Sequence, residues 1–187
     1  IGSYDKNVHA GNFGIAGSFS FSMPKLITMG QGGAIITNNR ILAKKLRLYK
    51  NFGRKFSGED VHNHLGYNFK ITDMQSVLGL GQLKIIKSLI EKKKKIFKRY
   101  QRNLKNNSKI VLFNFKKNET PWSVDIYIDG VRKIKKILEK NKILTRYVYP
   151  PLNSQKIYKE FKNLPVSTYF CKRGLWLPSS TDIKNKD

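Results

Sequence analysis

Lys25 is the residue of this 187-residue chain whose type and setting best suit chemistry. It follows Pro24 at a reversal that ends in Gly30-Gln31-Gly32-Gly33 and lies between segments that read as strands, not on a charged helix. A lysine at such a partly buried turn is expected to have its charged form disfavoured, which lowers its pKa and makes the amine a nucleophile toward carbonyls. From spacing alone, a surface lysine on a hairpin is the better fit. His62 and His64 are two residues apart and lack the further ligands that a zinc site needs, so no metal is expected. Cys171, next to Phe170 and without an obvious base, reads as a packed thiol. The glycines of Gly30 to Gly33 precede a strand rather than a helix, which argues against a phosphate-cradling loop built from them alone.

Composition bounds the partners. The chain has 37 Lys+Arg against 12 Asp+Glu, a formal charge of +25, with 40% hydrophobic and 12% aromatic residues, so it folds rather than staying disordered. One cysteine excludes an internal disulfide and suits a reducing compartment. No apolar run approaches the ~20 residues of a membrane span, and no signal peptide is evident, so a cytoplasmic protein is expected. The charge invites a basic nucleic-acid-binding domain. Against it, 29 of the basic residues are Lys and 8 are Arg, spread along the chain, whereas base and phosphate readers favour the bidentate Arg fork. Because the chain starts at Ile1, it is expected to be a fragment.

The elements that must position Lys25 follow from periodicity. Gly17 to Phe21 and Gly33 to Thr37 read as strands, and Asn38 or Asn39 caps a helix to about Lys50, with Leu42, Leu46 and Tyr49 on one face. A polar loop runs from Asn51 to Ile71. Thr72 and Gln75 fit a capping box opening a long helix through Leu104, with a bend near Ser88. Gly79 and Gly81 inside it weaken helix propensity, which suggests close approach of another backbone at both. Lys92 to Lys95 read as a solvated helix face. Strands are expected over Ile110 to Phe115, Trp122 to Ile128 and Ile143 to Tyr149. A helix is expected over Gly130 to Lys140 with Val131, Ile134, Ile137 and Leu138 inward. A short helix over Gln155 to Phe161 and a final extended piece from Gly174 to Pro178 complete the reading. This places one domain at 1–107 and a small α/β domain, expected to be truncated, at 108–187.

Ser18-Phe19-Ser20-Phe21-Ser22-Met23-Pro24-Lys25-Leu26-Ile27-Thr28-Met29-Gly30-Gln31-Gly32-Gly33 closely resembles the cofactor-lysine segment of the DegT/DnrJ/StrS sugar aminotransferases. Those are pyridoxal-phosphate enzymes that aminate nucleotide-linked keto sugars. Leu65-Gly66-Tyr67-Asn68-Phe69-Lys70-Ile71-Thr72-Asp73 resembles the family's Gly-Tyr-Asn-Tyr-Arg-Met-Thr-Asp segment, and Leu78-Gly79-Leu80-Gly81-Gln82-Leu83 the helix after it. Thr145 to Leu152, Leu164-Pro165-Val166 and Leu177-Pro178 resemble its small domain.

The resemblance implies an α/β fold of the type I pyridoxal-phosphate transferases, represented by the C-terminal part of the large domain plus the small α/β domain. By the match, Lys25 binds pyridoxal 5'-phosphate covalently and moves the proton in transamination, Ser20 binds the cofactor phosphate, and Asn68 reaches that phosphate from the neighbouring subunit. A homodimer with a shared active site then acts on an amino-acid donor, expected to be glutamate, and a nucleotide-linked sugar, for lipopolysaccharide, capsule or antibiotic sugars. Lys70 stands where the family usually has Arg, which loses the bidentate fork. The aspartate that pairs with the pyridine nitrogen aligns a few residues before Ile1, so the 187 residues alone are expected to lack full activity, and Asp5 matches only a variable turn. A dehydratase with the same cofactor is one rival, but relatives with that chemistry carry His in place of the lysine. A non-catalytic family member is another. Arg146, Tyr147 and Tyr149 are open to either a substrate role or a packing role.

Overall fold

The computed structural model describes residues 1–56, 58–158 and 163–183. They divide into two compact units, Ile1–Ile90 and Glu91–Asp187.

The first unit opens with a hairpin that periodicity did not reveal. Strands β1 (Tyr4–Asp5) and β2 (Val8–His9) pair across Lys6 and Asn7, whose φ angles of 44° and 66° are those that a two-residue hairpin turn requires. Strands β3 (Gly17–Ser20) and β4 (Gly33–Ile36) pair antiparallel, with Ser20 opposite Gly33. Helix α1 (Arg40–Lys50) starts where the Asn39 side chain accepts a hydrogen bond from Leu42 N–H at 2.9 Å. Leu42 and Leu46 are half-buried, as expected, while Tyr49 lies at the exposed margin.

Helix α2 (Asp73–Lys84) opens with the expected capping box: Gln75 N–H donates to Thr72 Oγ1 at 3.3 Å and Thr72 N–H donates back to Gln75 Oε1 at 2.9 Å. It stops at Ile85, with φ −107° and ψ 6°, and helix α3 (Ile86–Leu104) follows. The interruption therefore falls three residues before Ser88, where two adjacent β-branched residues, Ile85 and Ile86, crowd a helix already weakened by glycine. Gly79 is buried, and a Cβ there would lie 3.0 Å from Met29 Cγ and Sδ, so the close neighbour is a side chain, not a backbone. Gly81 faces open space, and the expectation of a close approach there is corrected.

The second unit is a four-stranded antiparallel sheet of β5 (Ile110–Leu112), β6 (Val124–Ile128), β7 (Arg146–Tyr147) and β8 (Gly174–Leu177), in the order β5-β6-β8-β7. All four segments are shorter than the alternation suggested. Val124, Ile126 and Leu175 are buried on one face, against Ile96 and Phe97 of α3 and Val131, Ile134 and Leu138 of α4 (Val131–Lys140). Ile137, expected inward, is 46% exposed. Leu175, fully buried on a central strand, is the sharpest test of this core: Leu175→Ala should lower stability by about 2–5 kcal/mol, read as a lower urea midpoint with an unchanged slope.

The unit boundary falls inside α3 rather than near Asn107, because the C-terminal part of that helix carries the sheet-covering residues Ile96 and Phe97. A continuous helical pattern hides such a division from sequence. The helix expected over Gln155 to Phe161 is absent from its described part. Leu152–Ser154 form a single 3-10 turn, Tyr158 N–H closes a turn on Gln155 O, and residues 159–161 lie outside the described residues. Helix α5 (Pro165–Cys171) instead starts at Pro165, whose fixed φ and missing N–H suit a first helical turn.

The lysine run on α3 is not uniformly solvated. Lys93 Nζ donates to Trp122 O at 2.9 Å and Ser179 O at 2.5 Å, and Lys94 Nζ to Lys117 O at 3.0 Å, so both tie the helix to chain ends of the sheet. Burial pushes the Lys93 amine below its ordinary range. On the sheet face opposite α3 and α4, burial raises the Asp125 carboxyl above its ordinary 3.8, with a Ser123 hydrogen bond pulling the other way. An acid raised in the folded state holds its proton more tightly folded than unfolded, so stability is fully present below the unfolded value and lost as pH rises through the folded one. Asp125→Asn, neutral throughout, is expected to exceed the parent at pH 7 by up to about 1 kcal/mol, with the gap closing toward pH 3 in thermal melts.

Candidate active site

Lys25 sits in the connection between β3 and β4, and that loop is fixed from within. Phe21 N–H donates to Gly32 O at 2.9 Å and Met29 N–H to Phe21 O at 2.9 Å, while Thr28 Oγ1 donates to the same carbonyl at 3.3 Å and accepts from Gly30 N–H at 3.0 Å. Ile27 and Met29 are 3% and 7% exposed and serve as its apolar anchors. Lys25, half-buried two residues before Ile27, closes a tight turn through its own N–H to Ser22 O at 3.0 Å. A primary amine is thus carried on a loop whose ends and floor are pinned.

The Ser20 hydroxyl lies 3.1 Å from that of Ser22 and accepts from Ser22 N–H at 3.4 Å, so two hydroxyls stand together at the strand end that leads to Lys25. Ser22 was missed by sequence reasoning, although alternate serines at 18, 20 and 22 were a usable signal. A second missed residue is Gln75: beyond the capping box, its Nε2 donates to Gln31 O at 3.0 Å and ties α2 to the glycine turn.

Asn68 stands on a different segment. Tyr67 N–H donates to Tyr49 O at 2.7 Å, Phe52 N–H to Tyr67 O at 3.0 Å and Phe69 N–H to Lys50 O at 3.1 Å, which lays Tyr67 to Phe69 along the end of α1 and makes an isolated bridge of Asn51 and Asn68. Asn68 is exposed there. Lys70, the departure from the family's Arg, donates to Asn51 Oδ1 at 3.4 Å and lies 4.0 Å from the centre of the Phe52 ring. The structure thus puts Ser20 at the end of β3, Lys25 on the connection that follows it, and Asn68 on a separate exposed ledge of the same unit. His62 hydrogen-bonds through Nδ1 to Phe52 O at 2.9 Å, and His9 Nδ1 accepts from Gly11 N–H at 3.1 Å. A cleft of about 400 Å3 lined by Gly11, Asn12, Ile15 and Thr37 lies at the far end of the β3–β4 pair from Lys25 and holds no titratable group.

A sequence model of the DegT/DnrJ/EryC1/StrS aminotransferase family matches residues 1–187. The chain belongs to this family. It is 29% identical over 192 residues to GDP-perosamine synthase of Escherichia coli O157:H7, covering 100% of this chain and 52% of that protein. Among solved structures it resembles Helicobacter pylori PseC, an aminotransferase involved in the biosynthesis of pseudoaminic acid, with a TM-score of 0.90 at 28% identity over 99% of this chain and 53% of that one. It also resembles a DegT DnrJ EryC1 StrS aminotransferase from Brucella abortus, with a TM-score of 0.88 at 28% identity over 97% of this chain and 50% of that one. The chain spans about half the length of the relatives it matches. Its fold is accordingly a mixed α/β part of a sugar-aminotransferase fold, and no helix among the described residues is long and apolar enough to cross a membrane.

The donor set of the lysine loop fits pyridoxal phosphate. It offers a primary amine for the aldehyde and the paired Ser20 and Ser22 hydroxyls for a phosphate, which neutral donors bind by several charge-assisted hydrogen bonds. No carboxylate lies on that loop to face a ring nitrogen, and Asp5 is paired with Val8 in the β1–β2 hairpin.

Proposed function

We propose that the protein carrying these residues transfers an amino group from an amino acid, glutamate in the simplest case, to the keto group of a nucleotide-linked sugar destined for cell-surface polysaccharide or an antibiotic. The single observation behind this reading is the anchored loop that carries Lys25 just after the paired Ser20 and Ser22 hydroxyls, in a chain matched along its whole length by a sugar-aminotransferase family. Lys25 would hold the cofactor and, once its amine is released, take the proton from Cα of the amino donor and return one to the carbon being aminated. Bound there, pyridoxal phosphate supplies an electron sink for the pair left behind when that proton departs. Ser20 would anchor the phosphate, and Asn68, on its exposed ledge, would reach the phosphate of a neighbouring subunit, which makes the working unit a homodimer.

The test is direct. The protein with pyridoxal phosphate, glutamate and keto sugars linked to uridine, guanosine or thymidine diphosphate should form 2-oxoglutarate and an amino sugar in equal amounts, read by mass spectrometry. Absence of both products with all three nucleotide series overturns the reading.

A further inference from the structure

On the face of the second unit's sheet opposite α3 and α4, whose Tyr127 end is covered by Phe170 of α5, one guanidinium is fixed by rings instead of by a carboxylate. Arg146 on β7 is the register partner of Trp176 on β8, and its guanidinium carbon lies 5.3 Å from the centre of the Trp176 ring and 4.8 Å from that of Tyr149. Tyr149 and Trp122 meet Trp176 edge-on at 5.0 Å and 5.3 Å, so the rings brace one another. Arg54 and Arg173 also lie against rings, those of Phe52 and Tyr169, but each is spent on an aspartate, at 2.7 Å from Asp60 and 2.6 Å from Asp129. Arg146 has no such ion pair among the described residues, although Asp125 stands one strand away, across Trp176. Ring contacts restrain the plane of a guanidinium without consuming its N–H donors, so an exposed fork is left pre-ordered. Trp176 Nε1 itself is buried and finds no acceptor among the described residues, so the exposed donors here are those of the guanidinium.

We propose that Arg146, held on Trp176 and Tyr149, is a binding site for the planar oxyanion of a substrate, a carboxylate or a phosphate. This rests on the aminotransferase reading, which requires two substrates that carry such groups: the carboxylates of the amino donor and the diphosphate of the nucleotide-linked sugar. Lysine in place of the fork would keep the charge and lose the two parallel hydrogen bonds.

The chain carries its own probe, because its two tryptophans, Trp122 and Trp176, both belong to this cluster. Tryptophan emission of the chain, without cofactor, is titrated at constant ionic strength with inorganic pyrophosphate and, separately, with glutarate. A saturable change with one of them is expected, and its identity tells whether the diphosphate or the carboxylate is the natural occupant. Arg146→Lys, which leaves the net charge at +25, should weaken that binding about tenfold or more. Calorimetry of the same titrations covers binding that leaves the emission unchanged, and far-UV circular dichroism of the variant shows that it is folded. No saturable signal by either method, or equal affinity in Arg146→Lys, overturns the proposal. Since neither readout involves turnover, fork-dependent binding in a protein that fails to transfer amino groups would refute the catalytic reading and leave this one standing.

Discussion

Lys25→Ala is expected to abolish the visible absorbance of the lysine-bound cofactor and to cut amino transfer by about 10²–10⁴-fold or more, since removal of a positioned proton-transfer group alone has that effect. The cause is chemical rather than structural. The loop is held by Ile27, Met29 and a backbone ladder from Phe21 to Gly32, and the turn hydrogen bond from residue 25 uses its N–H, which alanine keeps. Circular dichroism and the melting curve should therefore stay near those of the parent while the spectrum and the rate collapse. Lys25→Arg sharpens the point: it preserves the charge, yet a guanidinium does not give up its proton and so supplies neither a nucleophile nor a base. Restoration of activity by Arg would indicate that charge alone was needed. Partial rescue of the alanine variant by a small primary amine would locate the defect in the missing amino group. A visible band that persists in Lys25→Ala would assign the cofactor to another residue and sink the proposed site.

Features set by neighbours in sequence were legible, and those set by distant pairing were not. Asn39 capping α1, Thr72 and Gln75 capping α2, and the apolar face of α4 all depend on residues within one or two helical turns; the caps stand as the pattern implied, as do Val131, Ile134 and Leu138 of α4, while Ile137 at the margin of that face is exposed. The same patterns overestimated β5, β6 and β7, because alternation reports a pleat and not where the partner strand ends. The resemblance singled out Lys25 and Ser20 through one contiguous segment, which folds as the end of β3 and the connection after it. The ledge under Asn68 was not, since it is made when Tyr67 to Phe69 lie along the end of α1, a pairing between segments that local propensity does not encode. Arg146 was recognisable as a candidate, but its stacking on Trp176 comes from a strand pairing thirty residues away in the chain, from 146 to 176.

That ledge carries the largest structural prediction. A Cβ on Gly66 would lie 1.9 Å from Gly53 N, 2.4 Å from Phe52 C and 2.8 Å from Gly53 Cα, and one on Gly53 would lie 1.8 Å from His64 O. Every neighbour is backbone, so no side chain can swing away. Gly66→Ala can be accommodated only if the Tyr67 to Phe69 segment leaves the end of α1, with loss of three backbone hydrogen bonds, at a cost of about 3 kcal/mol or more. Two other glycines calibrate this. Gly81→Ala, inside α2 with open space around it, should stabilise by roughly 0.5–1 kcal/mol through helix propensity. Gly79→Ala meets only the flexible Met29 side chain at 3.0 Å and should fall between the two. Far-UV circular dichroism during urea unfolding is the right probe, because both tryptophans lie in the other unit and report on that unit instead. Asn68 rides on the displaced segment, so on the proposed dimeric site Gly66→Ala should also weaken retention of pyridoxal phosphate even at temperatures where the protein stays folded. Wild-type stability in Gly66→Ala would mean that Tyr67 to Phe69 do not lie along α1, and the placement of Asn68 would fall with it.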